Sequence, residues 1–290
     1  MSPGPFFHVR TRIHGRPDRP LLALAVDARL GRDMTDITSP DIAPPSANAW
    51  REFVEILRTV GLALAIALIL RVVIFQPFTI PSSSMEPGLV TGDYIVVSKS
   101  SYGWSRASFP LNPPLFKGRF LERLAQRGDV VVFRLPRDPG QTWIKRVIGL
   151  PGDRIHVRNG QVFVNGVAIP QTPLGMTQDH DAPDRTVLQL GERTPNGRAY
   201  VTYDGGPGLP GDDTGAYVVP AGQYFVMGDN RDNSLDSRFA PSAGGVGLLP
   251  AENLVGRAKF VLVSWRQGAS LFKPWTWLDL QWDRLLKPIR

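Results

Sequence analysis

The longest apolar stretch of the chain lies in its N-terminal third. No charged residue occurs from Thr59 to Leu70, and after Arg71 the apolar run continues to Ile80. About 20 residues with one charge and no polar face are long enough to cross the hydrocarbon core of a bilayer. A helix buried in a globular core is the alternative interpretation. We predict a membrane anchor over residues 51–80.

The charges on either side of this anchor predict its orientation. Arg51 and Arg58 flank the N-terminal side, whereas no Lys or Arg occurs over residues 72–98. The positive-inside rule then places the N-terminus in the cytoplasm and everything after the anchor outside. Residues 1–50 are rich in Pro, Arg and Asp and are predicted to be disordered, with Met34 as a second candidate start.

Beyond the anchor the pattern changes to short β-branched runs separated by Gly and Pro, which predict strands. Two Asn-Gly pairs, at 159–160 and 165–166, interrupt an alternating apolar pattern and indicate tight hairpins. The predicted strands cover residues 93–98, 129–135, 142–148, 217–219, 223–227 and 257–264.

The stretch 170–216 is dense in Gly, Pro and Asp and is predicted to be a loop-rich insertion. The predicted fold is therefore mostly β. A single N-terminal transmembrane helix precedes an antiparallel β-sheet or partial barrel, built from residues 81–169 and 217–290 around the insertion. The tail from Trp265 combines Trp with basic residues, a composition that suits core packing and interfacial contact equally well.

Composition limits the chemistry. Cysteine is absent, which excludes disulfides, thiol nucleophiles and cysteine zinc sites. The formal net charge is +7, but no basic run interleaved with aromatic residues indicates nucleic-acid binding. Attraction to anionic lipid headgroups explains the same charge.

A serine-rich segment directly follows the anchor. Ser82, Ser83 and Ser84 lie between Pro81 and Pro87, and each proline fixes its own φ and restricts its neighbour. A stiff, extended backbone is what a nucleophilic hydroxyl requires for attack within a narrow range of distances and angles. A Pro/Ser-rich linker is the alternative interpretation.

A second candidate group lies within a predicted strand. Lys145 and Arg146 stand among apolar residues, and strand alternation sends one of them to each face. A buried lysine can lose several units of pKa and become a neutral amine able to deprotonate a serine. Both side chains on an exposed sheet face would be the simpler interpretation.

The third candidate is a polar loop over residues 228–238, which contains three Asp, two Asn, two Ser and two Arg. Such a composition favours a hydrogen-bonded scaffold. A calcium loop fits poorly, since no Glu closes it. His156 and His180 lie in a predicted hairpin and an Asp-rich loop, so neither suggests a catalytic triad, and no metal or cofactor is predicted.

Together these stretches resemble the type I signal peptidases, membrane-anchored serine proteases that remove leader peptides from exported proteins. The matching runs begin at Pro81, Gly128, Ile144 and Gly228, follow a membrane span in the family's order, and lie within residues 57–264. Each run is weakly specific alone, whereas four in sequence are highly specific.

The resemblance implies roles for particular residues. Ser84 matches the nucleophile and Lys145 the general base, while Ser82 matches the residue that completes the oxyanion hole with the backbone N–H of Ser84. Ser234 matches the serine that orients the lysine. Trp143 departs from the tyrosine or similar residue expected at its position. An ion-paired framework is implied for Arg146, Asp229, Arg231, Asp236 and Arg238.

The implied substrates are signal peptides of secretory preproteins, bound as an extended strand with small side chains beside the cut. Membrane phospholipid and the secretion channel are further candidate partners, and the implied location is the outer face of the cytoplasmic membrane. A self-cleaving regulator and a non-enzymatic binding module are the alternatives. A penicillin-binding enzyme fits less well, since its serine and lysine lie one helical turn apart.

Overall fold

The computed structural model describes residues 47–109, 118–180, 182–266, 269, 274–276 and 278–290. The chain forms two units, Met1–Val54 and Glu55–Arg290. In the first unit the described residues are the start of helix α1 (Ala47–Val73). The disorder predicted for residues 1–50 otherwise lies outside the described residues.

Helix α1 contains a candidate membrane span of 22 residues, Ala49–Leu70, none of which is buried. Large apolar side chains such as Leu62, Leu64 and Ile69 are at least 60% exposed. An exposed apolar surface around a whole helix is what a bilayer would cover.

The helix ends earlier than the predicted anchor, which extended to residue 80. Phe75–Thr79 is a strand instead, paired antiparallel with Asp93–Ser98. Two physical causes explain the difference. Pro77 has no N–H for a helical hydrogen bond, and the β-branched and aromatic residues before it favour a strand once a partner edge is present.

The rest of the described chain is mostly β, as predicted. The strands found in the described residues are β1 (Phe75–Thr79), β2 (Asp93–Ser98), β3 (Trp104–Ser105), β4 (Arg119–Phe120), β5 (Val130–Leu135), β6 (Asp138–Gly149), β7 (Arg154–Arg158), β8 (Gln161–Val164), β9 (Val167–Ala168), β10 (Gln171–Gln178), β11 (Thr186–Arg193), β12 (Ala199–Asp204), β13 (Tyr217–Val218), β14 (Gln223–Met227), β15 (Leu249–Pro250) and β16 (Leu254–Ser264).

The largest sheet has seven strands in the order β1-β2-β16-β5-β6-β14-β15, and every neighbouring pair is antiparallel. Both of its faces are covered in the middle. Val130 and Val132 of β5 pack in one core cluster, while Val131 and Phe133 pack in another. Side chains that alternate along the central strands are therefore buried on either face.

Smaller sheets flank the large one. Strands β13-β7-β8-β9 form a four-stranded sheet, and its turns at Asn159-Gly160 and Asn165-Gly166 have positive φ at all four residues. The two predicted Asn-Gly hairpins are confirmed.

The stretch 170–216 has more regular structure than the sequence predicts. Strands β10, β11 and β12 form a three-stranded antiparallel sheet within it. Many of its Gly and Pro residues lie at a register shift near Gly175 or in the segment after β12. They interrupt or end strands there but do not prevent strand formation elsewhere in the stretch.

Candidate active site

Ser84 lies in a single 3-10 turn, Ser83–Met85, directly after the extended residue Ser82. Two neighbours fix this turn, because Met85 and Leu89 are each only 1% exposed and belong to the core. The Leu89 N–H donates to the Met85 carbonyl at 2.9 Å. The Ser84 hydroxyl is thus held on a short, anchored turn.

Lys145 reaches this hydroxyl from β6. Its Nζ lies 2.6 Å from the Ser84 Oγ, across 61 positions of sequence. Lys145 is 4% exposed and Arg146 is 2% exposed, so both are buried on opposite faces of the sheet. The structure therefore brings the predicted serine and lysine into direct contact.

Burial lowers the pKa of Lys145 from its ordinary 10.5 to about 8, and the nearby Arg238 guanidinium acts in the same direction. The carboxylates of Asp236 and Asp229 oppose this shift because they favour the charged amine. The pKa of Lys99 is also lowered to about 8, by burial and by Arg134. Lys99 donates to the Ser108 carbonyl at 2.5 Å, whereas Lys145 contacts the hydroxyl of Ser84.

Trp143 lies two residues before Lys145 on the same strand face. The Lys145 Nζ is 5.5 Å from the centroid of its indole ring, within the range of a cation–π contact. The ring is half-buried, and the Arg137 guanidinium lies 5.8 Å from the same centroid. The residue that departs from the family pattern is therefore a neighbour of the amine.

The polar loop after β14 supports the serine turn. A Cβ at Gly228 would lie 2.3 Å from the Ser234 Oγ and 2.5 Å from the Ser84 carbonyl oxygen, so only glycine fits there. The Asn230 N–H donates to the Ser84 carbonyl at 3.2 Å, and the Asn233 side chain donates to the Ser83 Oγ at 2.8 Å. The two loops are therefore packed together directly behind the hydroxyl.

The predicted framework residues form buried ion pairs. Arg146 binds both oxygens of Asp229, at 2.7 and 2.6 Å. Arg238 binds Asp236 at 3.0 Å, and the Gly228 N–H donates to the same carboxylate at 3.0 Å. These pairs fix the loop on both sides of Ser234.

Arg231 takes a partner that sequence reasoning missed. It binds Glu192 of β11 at 2.5 Å, and Glu192 is 1% exposed. Tyr200 of β12 donates to the same carboxylate at 2.7 Å and lies 4.2 Å beneath the Arg146 guanidinium. The pKa of Glu192 is lowered although burial opposes this, because Arg231 stabilises the anion. The three-stranded sheet thus supplies part of the framework.

Two predicted residues stand apart from these contacts. Ser82 is exposed, and its side chain makes no capping hydrogen bond to the turn that follows. The Ser234 hydroxyl is buried without a hydrogen-bond partner among the described residues. The hydrogen bond expected between Ser234 and Lys145 is not formed in this structure.

The tail contacts the same region. Arg284, 5% exposed, binds Asp93 at 2.8 and 2.5 Å and the Gly88 carbonyl at 3.0 Å. Arg284 therefore binds two points, Gly88 and Asp93, of the segment that follows the Ser84 turn. Trp275 and Trp282 are 74% and 68% exposed, so the tail combines a buried ion pair with exposed aromatic side chains.

Other candidate groups lie elsewhere. The His156 ring stacks on Phe163, and the Nδ1 of His180 lies 3.6 Å from the carboxylate of Glu86. Within the described ranges no group of three or more His, Cys, Asp or Glu side chains could hold a metal ion.

Comparisons with known proteins give the family. A family model described as signal peptidase, peptidase S26, matches residues 53–265. A signal peptidase I of Rickettsia typhi is 42% identical over 209 residues, 69% of this chain and 76% of that protein. A signal peptidase I of Rickettsia canadensis is 38% identical over 227 residues, with coverage of 76% and 80%. A solved signal peptidase I structure from Enterococcus faecalis is 26% identical and covers 47% of this chain and 97% of its own, with a TM-score of 0.27.

The family model and the Rickettsia relatives define the class: the protein is a peptidase, and it carries one N-terminal helix that is long and apolar enough to span a membrane. The chain belongs to the signal peptidase family, peptidase S26, and this membership indicates the cleavage of signal peptides.

Proposed function

We propose that this protein is a serine endopeptidase that removes N-terminal signal peptides from exported preproteins, with Ser84 as nucleophile and neutral Lys145 as general base. One observation carries the proposal, namely the 2.6 Å contact between the Nζ of the buried Lys145 and the Oγ of the part-buried Ser84. An amine with a pKa of about 8 is partly neutral near pH 7, which a general base must be.

In the first step the neutral amine accepts the Ser84 proton as the Oγ attacks the carbonyl carbon of the scissile bond. Negative charge develops on the former carbonyl oxygen. The Ser84 N–H and the Ser82 hydroxyl would donate to it, and each such donor contributes on the order of a few kcal/mol. The exposed Ser82 side chain, which makes no capping bond to its own turn, is consistent with this role.

In the second step the protonated Lys145 returns its proton to the leaving amine, and the C–N bond breaks to leave an acyl ester on Ser84. The again neutral amine then takes a proton from water as the water oxygen attacks the ester carbonyl carbon. The ammonium returns this proton to the Ser84 Oγ as the ester C–O bond breaks, which frees the signal peptide acid and restores the serine hydroxyl and the neutral amine. Ser234 would hold the lysine in place during these transfers. Its buried hydroxyl without a partner supports a role that is fulfilled only when the amine moves.

The proposal includes a location and partners. Arg51 and Arg58 precede the span, so the positive-inside rule places the β domain on the outer face of the cytoplasmic membrane. Exposed Trp275 and Trp282 suit contact with phospholipid at the interface. A preprotein delivered by the secretion channel would present its cleavage region there as an extended strand.

The test is mass spectrometry of a secretory preprotein before and after incubation with the full chain in detergent. We expect one cut, after a segment with small side chains at the first and third positions before the bond. Incubation of the protein alone tests self-cleavage, and Ser84→Ala is the matched control. An intact preprotein with a folded enzyme would refute the proposal.

A further inference from the structure

A second cavity, of about 410 Å³, shares no lining residue with the site of Ser84 and Lys145. Hydroxyl groups and cations dominate its wall. The residues that matter here are Ser98, Ser100, Ser101, Arg123, Arg257 and Lys259.

The cavity has an excess of positive charge. Its only lining carboxylate is that of Asp129, which is 2% exposed and already accepts hydrogen bonds from Tyr102 at 2.8 Å and from Arg198. Asp129 also pairs with Arg257 at 3.2 Å. Neither Arg123 nor Lys259 forms an ion pair with any described residue. The single carboxylate is therefore in contact with Arg198 and Arg257, and the exposed cations Arg123 and Lys259 have no direct ion-pair contact of their own among the described residues.

The pKa of Lys259 is affected by the charges around it. This pKa is lowered, first by partial burial and then by the positive charge of Arg257, although the carboxylate of Asp129 opposes the shift. A neighbouring cation disfavours a second charge, and an anion placed between the two would relieve that repulsion. The cavity is thus electrostatically unbalanced and suited to an anion.

The cavity lies where the chain leaves its apolar helix. The Lys99 N–H donates to the carbonyl of Ile74, the residue that follows α1, at 2.9 Å. Ser98 is the register partner of Phe75 on one side and of Arg257 on the other. If α1 spans a bilayer, these residues stand at the level of the lipid headgroups.

One of the lining residues of the cavity is an exposed apolar side chain. Leu124, which lines it, is 68% exposed, and the neighbouring Phe120 and Leu121 are 64% and 62% exposed. Phe75 is 48% exposed. An exposed apolar side chain beside a cationic recess, with further exposed apolar residues close in sequence or in strand register, matches the two parts of a phospholipid, its acyl chains and its phosphate.

We propose that this cavity binds the phosphodiester group of an anionic phospholipid. Guanidinium groups donate two parallel hydrogen bonds to phosphate oxygens, the ammonium adds a point charge, and the serine hydroxyls can donate to the remaining oxygens. Binding there would seat the β domain against the membrane from which its helix emerges. The proposal depends on the membrane anchor but not on the chemistry of Ser84.

The test compares lipid binding by the full chain and by the double variant Arg123→Gln/Lys259→Gln. Native mass spectrometry of the protein released from detergent, titrated with phosphatidylglycerol or phosphatidylcholine, gives the apparent dissociation constants. Each Lys or Arg near an anionic surface strengthens binding roughly fivefold, so loss of both should weaken phosphatidylglycerol binding about 30-fold. The matched control is Arg154→Gln/Arg158→Gln, which removes the same charge from two exposed positions of β7 and should retain wild-type affinity.

Three results would overturn the proposal. Equal weakening in the control variant would indicate general charge attraction. Unchanged phosphatidylglycerol binding in the cavity variant would exclude the site. Displacement of the lipid by inorganic phosphate alone would show that the ligand is free phosphate. Peptide cleavage in detergent should be retained by the cavity variant, which separates this failure from a failure of the proposed function.

Discussion

The lowered pKa of Lys145 predicts how cleavage depends on pH. Burial brings this pKa from 10.5 to about 8, and only the neutral amine can accept the Ser84 proton. The rate constant kcat/KM should therefore rise with pH, tenfold per unit in the acid range, and level off above about pH 8. Activity at pH 6 should be about 1% of the plateau, and at pH 7 about one tenth.

The magnitude separates a buried base from an ordinary one. A lysine with an unshifted pKa would be neutral in only about three molecules of ten thousand at pH 7, so burial increases the competent fraction roughly 300-fold. The same burial lowers the free energy of unfolding, because below pH 8 the folded state must bury a charged amine. This decrease is about 3 kcal/mol and fades as pH rises from 8 to 10.5.

The assay is cleavage of a peptide substrate without groups that titrate between pH 6 and pH 10. The control is Lys99→Met, which removes the other lysine whose pKa is about 8 and should leave the midpoint unchanged. A midpoint near 10, or a flat profile, would refute the reasoning that burial makes Lys145 the base. If the midpoint moves in Lys99→Met, the titrating group is Lys99 and not Lys145.

The remaining predictions concern stability and positioning. Lys145→Met should raise the free energy of unfolding at pH 7 by about 2 kcal/mol, since it removes the buried charge and loses one hydrogen bond; a gain that persists above pH 10.5 would contradict this sign. Ser234→Ala should lower kcat without lowering the unfolding temperature, because the buried hydroxyl has no partner to lose; unchanged cleavage would remove its proposed role. Glu192→Gln leaves Arg231 buried and unpaired and should cost about 3–5 kcal/mol in denaturant unfolding, and a change below about 1 kcal/mol would mean that the pair is not needed.

The strands and the contact between Ser84 and Lys145 could be predicted from sequence for different reasons. Strand boundaries follow from local alternation, and β2 and β14 match the predicted bounds nearly residue for residue. The contact is predicted by the order of the four family-like sequence runs. Periodicity could not predict it, because 61 positions separate the two residues.

The parts that could not be predicted depend on distant partners. In the sequence, Glu192 is one polar position of a strand, and only its ion pair with Arg231 shows that it belongs to the site framework. The hydrogen bond from Arg284 to Asp93 likewise joins residues 191 positions apart. The end of α1 was misplaced because residues 74–80 are as apolar as a membrane span, and only the edge of β2 makes them a strand. Gly and Pro in residues 170–216 likewise concealed three strands.

The most direct test of the central claim is preprotein cleavage by Ser84→Ala and Lys145→Met, each compared with wild type by mass spectrometry under identical conditions. Both variants should retain cooperative unfolding and yield no detectable product, because one lacks the attacking hydroxyl and the other lacks the group that takes its proton. Product at the wild-type rate from either folded variant would contradict the account.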